Sequence, residues 1–483
     1  MIQKIFYYNS KDTILVFFYI SLSTTLFTFY YDQTEISYIG KFFAKNNELS
    51  AFIGDNSVNI LFNFLVGNYF NIFDSYIFYI FLTVFYISII SIVVNLYLNE
   101  LNYSTSKKLI FISIFFICNQ SLYSGSYLIS GIQPKSFSYI LLISSITFLI
   151  KGKFKTSFYL IFIASLFHPS VGLIGVLIFL YPQTIKSTYQ EFKNHEKILT
   201  LISGLAYFYF LLNELVLQND PILYTSDIQS SDYLVKFRFD HHLIPFDSFE
   251  NGFFNDLNWK IGFYSLIFIL FSLLIVQKYD NFEKPILIKS LNILCITQLF
   301  LFFLHYQLEF SKPLLSFPYR SSTIILFLYL SIIIKLISKD ILVSLILVTT
   351  SIFYLTNSIN TVVKESNINK QKIAFVRDLS NLIPSNQHYS IILTPEYSTY
   401  LFWSIEMETG IPQYTSFKHA PLNLDSVPEW NIRLEKKFNF LNDSQCNLFD
   451  DYNILYIFDE NSHDCGNIIG SLNNGWYLFE NLK

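Results

Sequence analysis

Long apolar runs alternate with short polar segments along most of this chain. In runs such as 76–98, 261–277 and 286–305, charged residues are almost absent. Each run is about as long as the hydrocarbon core of a bilayer is thick, roughly 20 residues of helix. Backbone groups in lipid must bond within their own segment, which favours helices. The pattern therefore predicts an α-helical polytopic membrane protein.

About eleven membrane segments fit this pattern. The run over 156–182 is broken at His168-Pro169, so it reads either as a hairpin of two short segments or as one broken or re-entrant element. With the hairpin counted as two, the predicted segments are 13–30, 74–98, 108–123, 136–150, 156–168, 170–182, 198–217, 261–277, 286–305, 321–337 and 341–357.

Lysines in the short loops predict the orientation, because basic residues concentrate on the cytoplasmic side. They cluster at 151–155, 186–197, 278–284 and 335–339. All four clusters fall on the side of the N-terminus only if 156–182 crosses twice. We therefore expect the N-terminus to lie in the cytoplasm and the first apolar run to be a signal anchor that is not cleaved. The expected location is a bacterial inner (plasma) membrane.

The long polar segments then fall on the outer face. They include the loops 31–73 and 218–260 and the tail from 358. The tail reads as helices over 370–382 and 428–441 and as strands over 389–393, 453–458 and 475–479. We expect a membrane domain, 1–357, followed by a small extracytoplasmic α/β domain, 358–483.

The composition agrees with a membrane protein. Hydrophobic residues make up 52% of the chain and charged residues 14%, against about 25% charged in soluble domains. The net charge of −4 is small, and no dense basic block indicates nucleic-acid binding. Cys118 and Cys295 read as buried apolar residues. Cys446 and Cys465 could pair in an oxidising compartment.

The first outer loop opens with two carboxylates, Asp32 and Glu35. On a continued helix they would share one face. They could act as a general base in a cavity at the membrane boundary. The alternative is a helix end that turns polar as it leaves lipid.

The second outer loop holds the densest polar cluster, Lys236 to Pro245. In an extended segment Lys236 and Arg238 would share a face. Arg238 suits phosphate recognition, and His241 and His242 could donate to phosphate or move a proton. The alternative is an ordinary polar loop.

Further candidates lie at the ends of apolar runs. Ionisable residues at membrane depth often line a cavity, which would suit His168. Arg320 and Lys135 could bind substrate, or they could anchor helix ends at the interface. No cysteine and histidine spacing resembles a zinc site. No cofactor is expected, and a divalent metal is left open.

The layout resembles the GT-C class of membrane glycosyltransferases, which have many membrane helices, an acidic residue opening the first outer loop and often an outer C-terminal domain. Asp32 or Glu35 would match the acidic position. Other blocks resemble ones in uncharacterised bacterial polytopic proteins: Phe167-His168-Pro169, Arg238-x-x-His241-His242-Leu243-x-Pro245, Phe317-Pro318-x-Arg320, and Phe417-Lys418-x-x-Pro421 with Glu429-Trp430 and Arg433.

The resemblance implies transfer of a sugar from a polyprenyl phosphate at the outer face for cell-surface glycan synthesis. Asp32, Glu35, His241 and His242 would be catalytic. Lys135, His168, Arg238, Arg320 and Lys418 would bind substrate. The partners would be the lipid bilayer and the polyprenyl-phosphate-linked sugar. A surface-polysaccharide polymerase or ligase, and a non-enzymatic transporter or assembly protein, are the alternatives.

Overall fold

A computed structural model describes the chain in separate ranges. They are 75–118, 120–122, 128, 134–179, 181–212, 219–224, 226–238, 256–279, 285–308, 314–315, 320–336, 374, 378, 381–383, 391–393, 414–415, 420–421, 423–443, 454–459, 466–471 and 477–481. The chain divides into two compact units. The first comprises Met1–Thr28, Phe81–Leu217 and Val235–Asn360, and the second comprises Phe29–Ile80, Gln218–Leu234 and Thr361–Lys483.

The described part of the chain is mostly helical. The helices are α1 (Ser75–Glu100), α2 (Thr105–Ile117), α3 (Pro134–Ile150), α4 (Phe154–Phe167), α5 (Pro169–Phe179), α6 (Pro182–Glu191), α7 (Asn194–Leu212), the single turn α8 (Ser230–Tyr233), α9 (Asp256–Tyr279), α10 (Pro285–Leu308), α11 (Ser321–Leu336) and α12 (Val427–Asp443).

Helices α4 and α5 form a tight antiparallel hairpin around the predicted break. The chain turns at His168, whose backbone is extended, and Pro169 opens α5. Glycine permits the close packing, since a Cβ on Gly172 would lie 2.2 Å from Ser165 Cβ and one on Gly175 would lie 2.9 Å from Ile161. Helix α5 also packs on α3 and α10, and α10 in turn on α9 and α11.

Hydroxyl groups join the helices of the first unit from inside. Ser145 and Ser157 bond to each other between α3 and α4, with the two Oγ atoms 2.7 Å apart. Tyr97 on α1 bonds Ser331 Oγ on α11 at 2.7 Å. Hydroxyl bonds of this kind replace the hydrophobic driving force where helices meet in an apolar medium.

The outward faces of several helices are apolar. On α9, Phe268 and Phe271 are 64% and 63% exposed. On α7, Ile202, Leu205 and Tyr209 are also exposed. The first unit thus exposes large apolar side chains on these helices, while its interior combines aliphatic and aromatic residues with buried hydroxyl groups.

Within the described ranges, no single helix meets the joint length and hydropathy criteria for crossing a membrane. The pair Pro169–Phe179 and Thr184–Glu191 meets them together, with a bend of 98° between its members.

Several basic loops lie at one end of the first unit. Lys107 Nζ donates to the carbonyl of Lys335 at 2.9 Å. Lys151 pairs with Glu100 at 2.9 Å, and Lys155 pairs with Glu196 at 2.5 Å. These contacts join loops that the lysine pattern assigns to the same, cytoplasmic side. Whether that end faces the cytoplasm remains a prediction.

The second unit contains a four-stranded sheet of order β1-β2-β4-β3. Its strands are β1 (Ile391–Leu393), β2 (Ile454–Asp459), β3 (Gly466–Ser471) and β4 (Tyr477–Asn481). Strands β1 and β2 are parallel, and the other pairs are antiparallel. Ile457, Leu478 and Phe479 are buried. Three strands follow the predicted segments within a few residues, and β3 was not predicted.

Helix α12 begins within two residues of the predicted start. It follows a 3₁₀ turn over Leu424–Ser426, in which the Asn423 side chain accepts from the N–H of Asp425. One side of α12 is buried through Trp430, Leu434 and Lys437. The predicted helix over 370–382 falls almost wholly outside the described residues.

Two sequence-based expectations are wrong. Leu234–Arg238 forms a π-helical turn and not an extended segment, so Lys236 and Arg238 do not alternate as on a strand. Cys118 is exposed at the end of α2, although Cys295 is buried as expected. The segments 13–30 and 341–357 and the cysteines Cys446 and Cys465 lie outside the described residues.

Candidate functional site

Three helix N-termini meet at one end of the first unit. Lys135 lies in the first turn of α3, His168 immediately precedes α5, and Arg320 immediately precedes α11. Proline opens both α3 and α5, which suits the first helical position because its missing N–H would be unpaired there. Each of the three N-termini thus brings a basic side chain to the same place.

Arg320 and His168 are joined by a hydrogen bond. The distance from Arg320 Nη1 to His168 Nε2 is 2.9 Å. A guanidinium can only donate, so Nε2 is the acceptor and the neutral imidazole carries its proton on Nδ1. Nδ1 is buried and has no hydrogen-bond partner among the described residues. The geometry therefore leaves an N–H donor at this site.

Lys135 adds a second cation. Its side chain is buried, at 8% exposure, and both Lys135 and Arg320 act electrostatically on the His168 imidazole. Helix N-termini carry partial positive charge and point N–H groups outward. Two cations, an imidazole N–H and three helix N-termini make an environment that favours an anion with several oxygens, such as a phosphate.

Polar side chains that were not predicted surround this cluster. Gln298 on α10 bonds Ser321 through its amide nitrogen. Ser121 bonds Ser322 with the Oγ atoms 2.6 Å apart. Gln120, Ser136 and Thr323 are also buried here. The only signal for them in the sequence is that each is a polar residue within an apolar run or close to its end.

Carboxylates are missing from the buried set. Among the buried polar residues that the structure describes, the charged ones are Lys108, Lys135 and Lys437. No group of three metal-ligating side chains occurs within the described ranges. What the structure describes of this site can therefore bind an anion through cations and N–H donors, but offers no described set of metal ligands.

The other predicted site residues are placed as follows. Asp32, Glu35, His241, His242 and Lys418 lie outside the described residues. The backbone of Arg238 ends the π-helical turn, and its side chain is outside the described part. Lys135, His168 and Arg320 are the predicted residues that the structure brings together.

An ion pair between residues four positions apart lies on α12 in the second unit. Arg433 Nε donates to Glu429 Oε1 at 2.8 Å. The Arg433 side chain is only 12% exposed and lies over the Tyr414 ring, so it is packed as well as paired. This contact stabilises the second unit without implying a binding role.

No family model, curated protein or solved structure matches this chain. The function proposed below is therefore inferred from the geometry of Lys135, His168 and Arg320.

Proposed function

We propose that this chain is a multi-pass membrane protein. The support comes from the outward faces of α7 and α9, where phenylalanine, leucine and isoleucine side chains are exposed while hydroxyl groups bond inside. A helix that is apolar all round is stable only in a protein core or in lipid. Lipid covering these faces accounts for side chains that would be costly to leave in water.

We further propose that the cluster of Lys135, His168 and Arg320 binds the phosphate of a polyprenyl-phosphate-linked sugar and that the protein transfers this sugar. The observation that carries the proposal is the Arg320–His168 bond at 2.9 Å beside Lys135, at three helix N-termini. This arrangement suits a group that gains negative charge as a bond breaks.

The reaction proposed is a glycosyl transfer. An acceptor hydroxyl loses its proton to Asp32 or Glu35, and its oxygen attacks the anomeric carbon of the sugar. The bond between that carbon and the phosphate oxygen breaks, and the electron pair leaves on the polyprenyl phosphate. Arg320, Lys135 and His168 stabilise the leaving phosphate, while Arg238, His241, His242 and Lys418 are proposed to complete the site. A divalent metal remains open.

A transfer assay with the purified full-length protein tests this function. Asp32→Asn, Glu35→Gln and Arg320→Gln would each be compared with wild type, using a polyprenyl-phosphate-linked sugar as donor. Removing one transition-state donor typically lowers the rate by about 10²- to 10³-fold. We expect a loss of this size for Arg320→Gln and abolished transfer for the essential carboxylate. Wild-type rates in all three variants would contradict the proposal.

A second candidate is a polymerase or ligase of surface-polysaccharide assembly, which uses the same class of donor. It is favoured by the composition of the described site, which holds cations and imidazole without a buried carboxylate. The mutant pattern separates the two enzymes. If Arg320 and His241 are essential while Asp32 and Glu35 are both dispensable, the polymerase or ligase is correct.

A further inference from the structure

A short amphipathic helix lies at the lysine-rich end of the first unit. Helix α6, Pro182–Glu191, falls between the predicted segments 170–182 and 198–217, where no helix was predicted. The axis turns by 98° between α5 and the Thr184–Glu191 part of α6. If α5 runs along the membrane normal, α6 therefore lies nearly parallel to the membrane surface.

One side of α6 fixes it to the first unit. Thr184 and Thr188 are buried, and the following Phe192 packs edge-on against Phe158 and Tyr159 of α4. Glu191 accepts from the N–H groups of Phe154 at 3.3 Å and of Lys155 at 2.7 Å, which caps the start of α4. These contacts set the position of α6 at the lysine-rich end.

The next stripe of α6 is apolar and uncovered. Ile185 and Tyr189, four residues apart, are 51% and 62% exposed. Residues at this spacing lie on the same face of a helix. Ile198, at the start of α7, is exposed as well. Ile198 begins the exposed apolar face of α7, which also holds Ile202, Leu205 and Tyr209.

Basic side chains border the apolar stripe. Lys186 and Lys193 are exposed, and Lys197 Nζ lies 4.1 Å from the centre of the Tyr189 ring. The neighbouring carboxylates are already engaged, because Glu191 caps α4 and Glu196 bonds Lys155 Nζ and the Lys193 N–H. Both carboxylates keep their negative charge, but Lys155, Lys186, Lys193 and Lys197 outnumber them, so the charge beside Ile185 and Tyr189 is predominantly positive.

We propose that α6 is an interfacial helix that binds the anionic lipid headgroups of the inner leaflet. Ile185 and Tyr189 enter the boundary between headgroups and acyl chains, and Lys186, Lys193 and Lys197 contact the lipid phosphates. Interfacial helices combine an apolar face of this kind with lysines on the polar side. The inference rests on the membrane placement proposed above, but not on the transfer reaction or its site.

Spin labels on the full-length protein in lipid nanodiscs test this placement. After replacement of the four native cysteines, single labels would be attached through Ile185→Cys, Tyr189→Cys, Gln190→Cys and Leu205→Cys. Gln190 is exposed beside the apolar stripe, and Leu205 lies on the exposed face of α7. Frequent collisions with oxygen show that a label lies in lipid. Frequent collisions with a water-soluble nickel chelate show that it lies in water.

We expect the labels at positions 185 and 189 to be shielded from nickel at a shallow depth, about 5–10 Å below the headgroups. The label at 190 should be open to nickel, and the label at 205 should be deeper in lipid. If the labels at 185 and 189 are as accessible to nickel as the label at 190 while the label at 205 is in lipid, the proposal that α6 is an interfacial helix is wrong. The proposed membrane placement would still hold. If 205 is also open to nickel, both are wrong.

Lipid selectivity gives an independent test. Spin-labelled phosphatidylglycerol and phosphatidylcholine would be compared for association with wild type, Lys186→Gln, Lys193→Gln and Lys197→Gln. Each change should lower the preference for phosphatidylglycerol by about fivefold, the factor equivalent to about 1 kcal/mol per basic residue near an anionic surface. Lys236→Gln, at an exposed lysine between α8 and α9, is the control. An unchanged preference in all three variants overturns the headgroup contacts.

Discussion

The guanidinium of Arg320 donates to the imidazole of His168 over 2.9 Å, between residues 152 positions apart in the chain. This bond joins the start of α11 to the turn between α4 and α5. It also fixes which ring nitrogen of His168 is the donor left for a ligand. The following predictions test this bond, the packing within each unit and the proposed orientation of the chain in the membrane.

Arg320→Gln should weaken the binding of a short polyprenyl phosphate, such as farnesyl phosphate, by roughly 10- to 150-fold. The reason is that a hydrogen bond to a charged group contributes about 1.5–3 kcal/mol. Titration of the purified protein in detergent measures the change. Lys153→Gln, which removes an exposed lysine at the lysine-rich end of the first unit, should bind like wild type. Equal affinities in Arg320→Gln and wild type would remove Arg320 from the site.

Gly172→Ala should destabilise the α4–α5 hairpin by about 1–3 kcal/mol, the usual cost of overpacking. The added Cβ would lie 2.2 Å from Ser165 Cβ and 2.4 Å from Ser165 Cα, which can relax only if the two helices separate. Thermal unfolding in detergent measures the loss.

Gly204→Ala is the matched control for this prediction. Gly204 is also in a helix, but a Cβ there meets nothing within 4 Å. Alanine favours a helix over glycine by about 1 kcal/mol, so this variant should melt at the same or a higher temperature. If both variants melt alike, the close approach of α4 and α5 is incorrect.

The Lys155–Glu196 pair should make a small contribution to stability that depends on pH. Hydrogen bonds from Lys155 and the Lys193 N–H lower the pKa of Glu196 below its usual 4.5, and the bond to Glu196 raises the pKa of Lys155 above its usual 10.5. Because its pKa is lowered, Glu196 contributes stability above pH 4.5, and this contribution is lost as the pH falls through the pKa of the folded state. Because its pKa is raised, Lys155 contributes stability below pH 10.5, and this contribution is lost as the pH rises through the pKa of the folded state.

Lys155→Met should therefore lower the melting temperature slightly at pH 7, with the difference from wild type shrinking toward pH 3. Both side chains are partly exposed, at 30% for Lys155 and 21% for Glu196, so the effect should also weaken in high salt. Melting curves at several pH values and two salt concentrations measure it. A difference that stays constant across pH 3–7 would show that lost packing, and not the ion pair, is responsible.

Lys437→Met should loosen the second unit. Lys437 is buried and its Nζ donates to the Thr415 carbonyl at 2.9 Å. Loss of this donor leaves a buried carbonyl less well satisfied, at a cost of about 1–3 kcal/mol. Amide hydrogen exchange in α12 should accelerate by roughly five- to 150-fold if exchange proceeds through unfolding of this unit. Asn439→Ala, at an exposed position of the same helix, should leave exchange unchanged.

Reporter fusions test the proposed orientation. A reporter active only outside the cytoplasm should be active after Lys483 and silent when inserted within 151–155. The basis is that the lysine-rich loops fall on one side only when 156–182 crosses twice. A silent fusion after Lys483 would place the 218–260 loop and the tail in the cytoplasm and contradict the outer-face reaction.

Local signals in the sequence were enough to predict many helices and one turn. Apolar runs gave the positions of α3, α9 and α10 within a few residues because helices of this kind need an unbroken apolar stretch. The His168-Pro169 pair correctly marked the boundary between α4 and α5, since proline cannot donate to the helix before it.

Long-range contacts and irregular segments could not be predicted in this way. Strand β3 contains Gly466, Asn467 and Gly470, which disfavour strands, and it forms by pairing with β4. The π-helical turn at Leu234–Arg238 has no recognisable signature. Lys135, His168 and Arg320 were separate candidates in the sequence, and only the packing of α3, α5 and α11 brings them together.

The most direct test of the central claim is the structure of the full-length protein in lipid nanodiscs supplied with a polyprenyl phosphate, determined by cryo-electron microscopy. The account predicts phosphate density within hydrogen-bonding distance of Arg320, Lys135 and His168 Nδ1, with the prenyl chain running along the exposed apolar helix faces. Phosphate density elsewhere, with these three side chains closed off from it, would contradict the account.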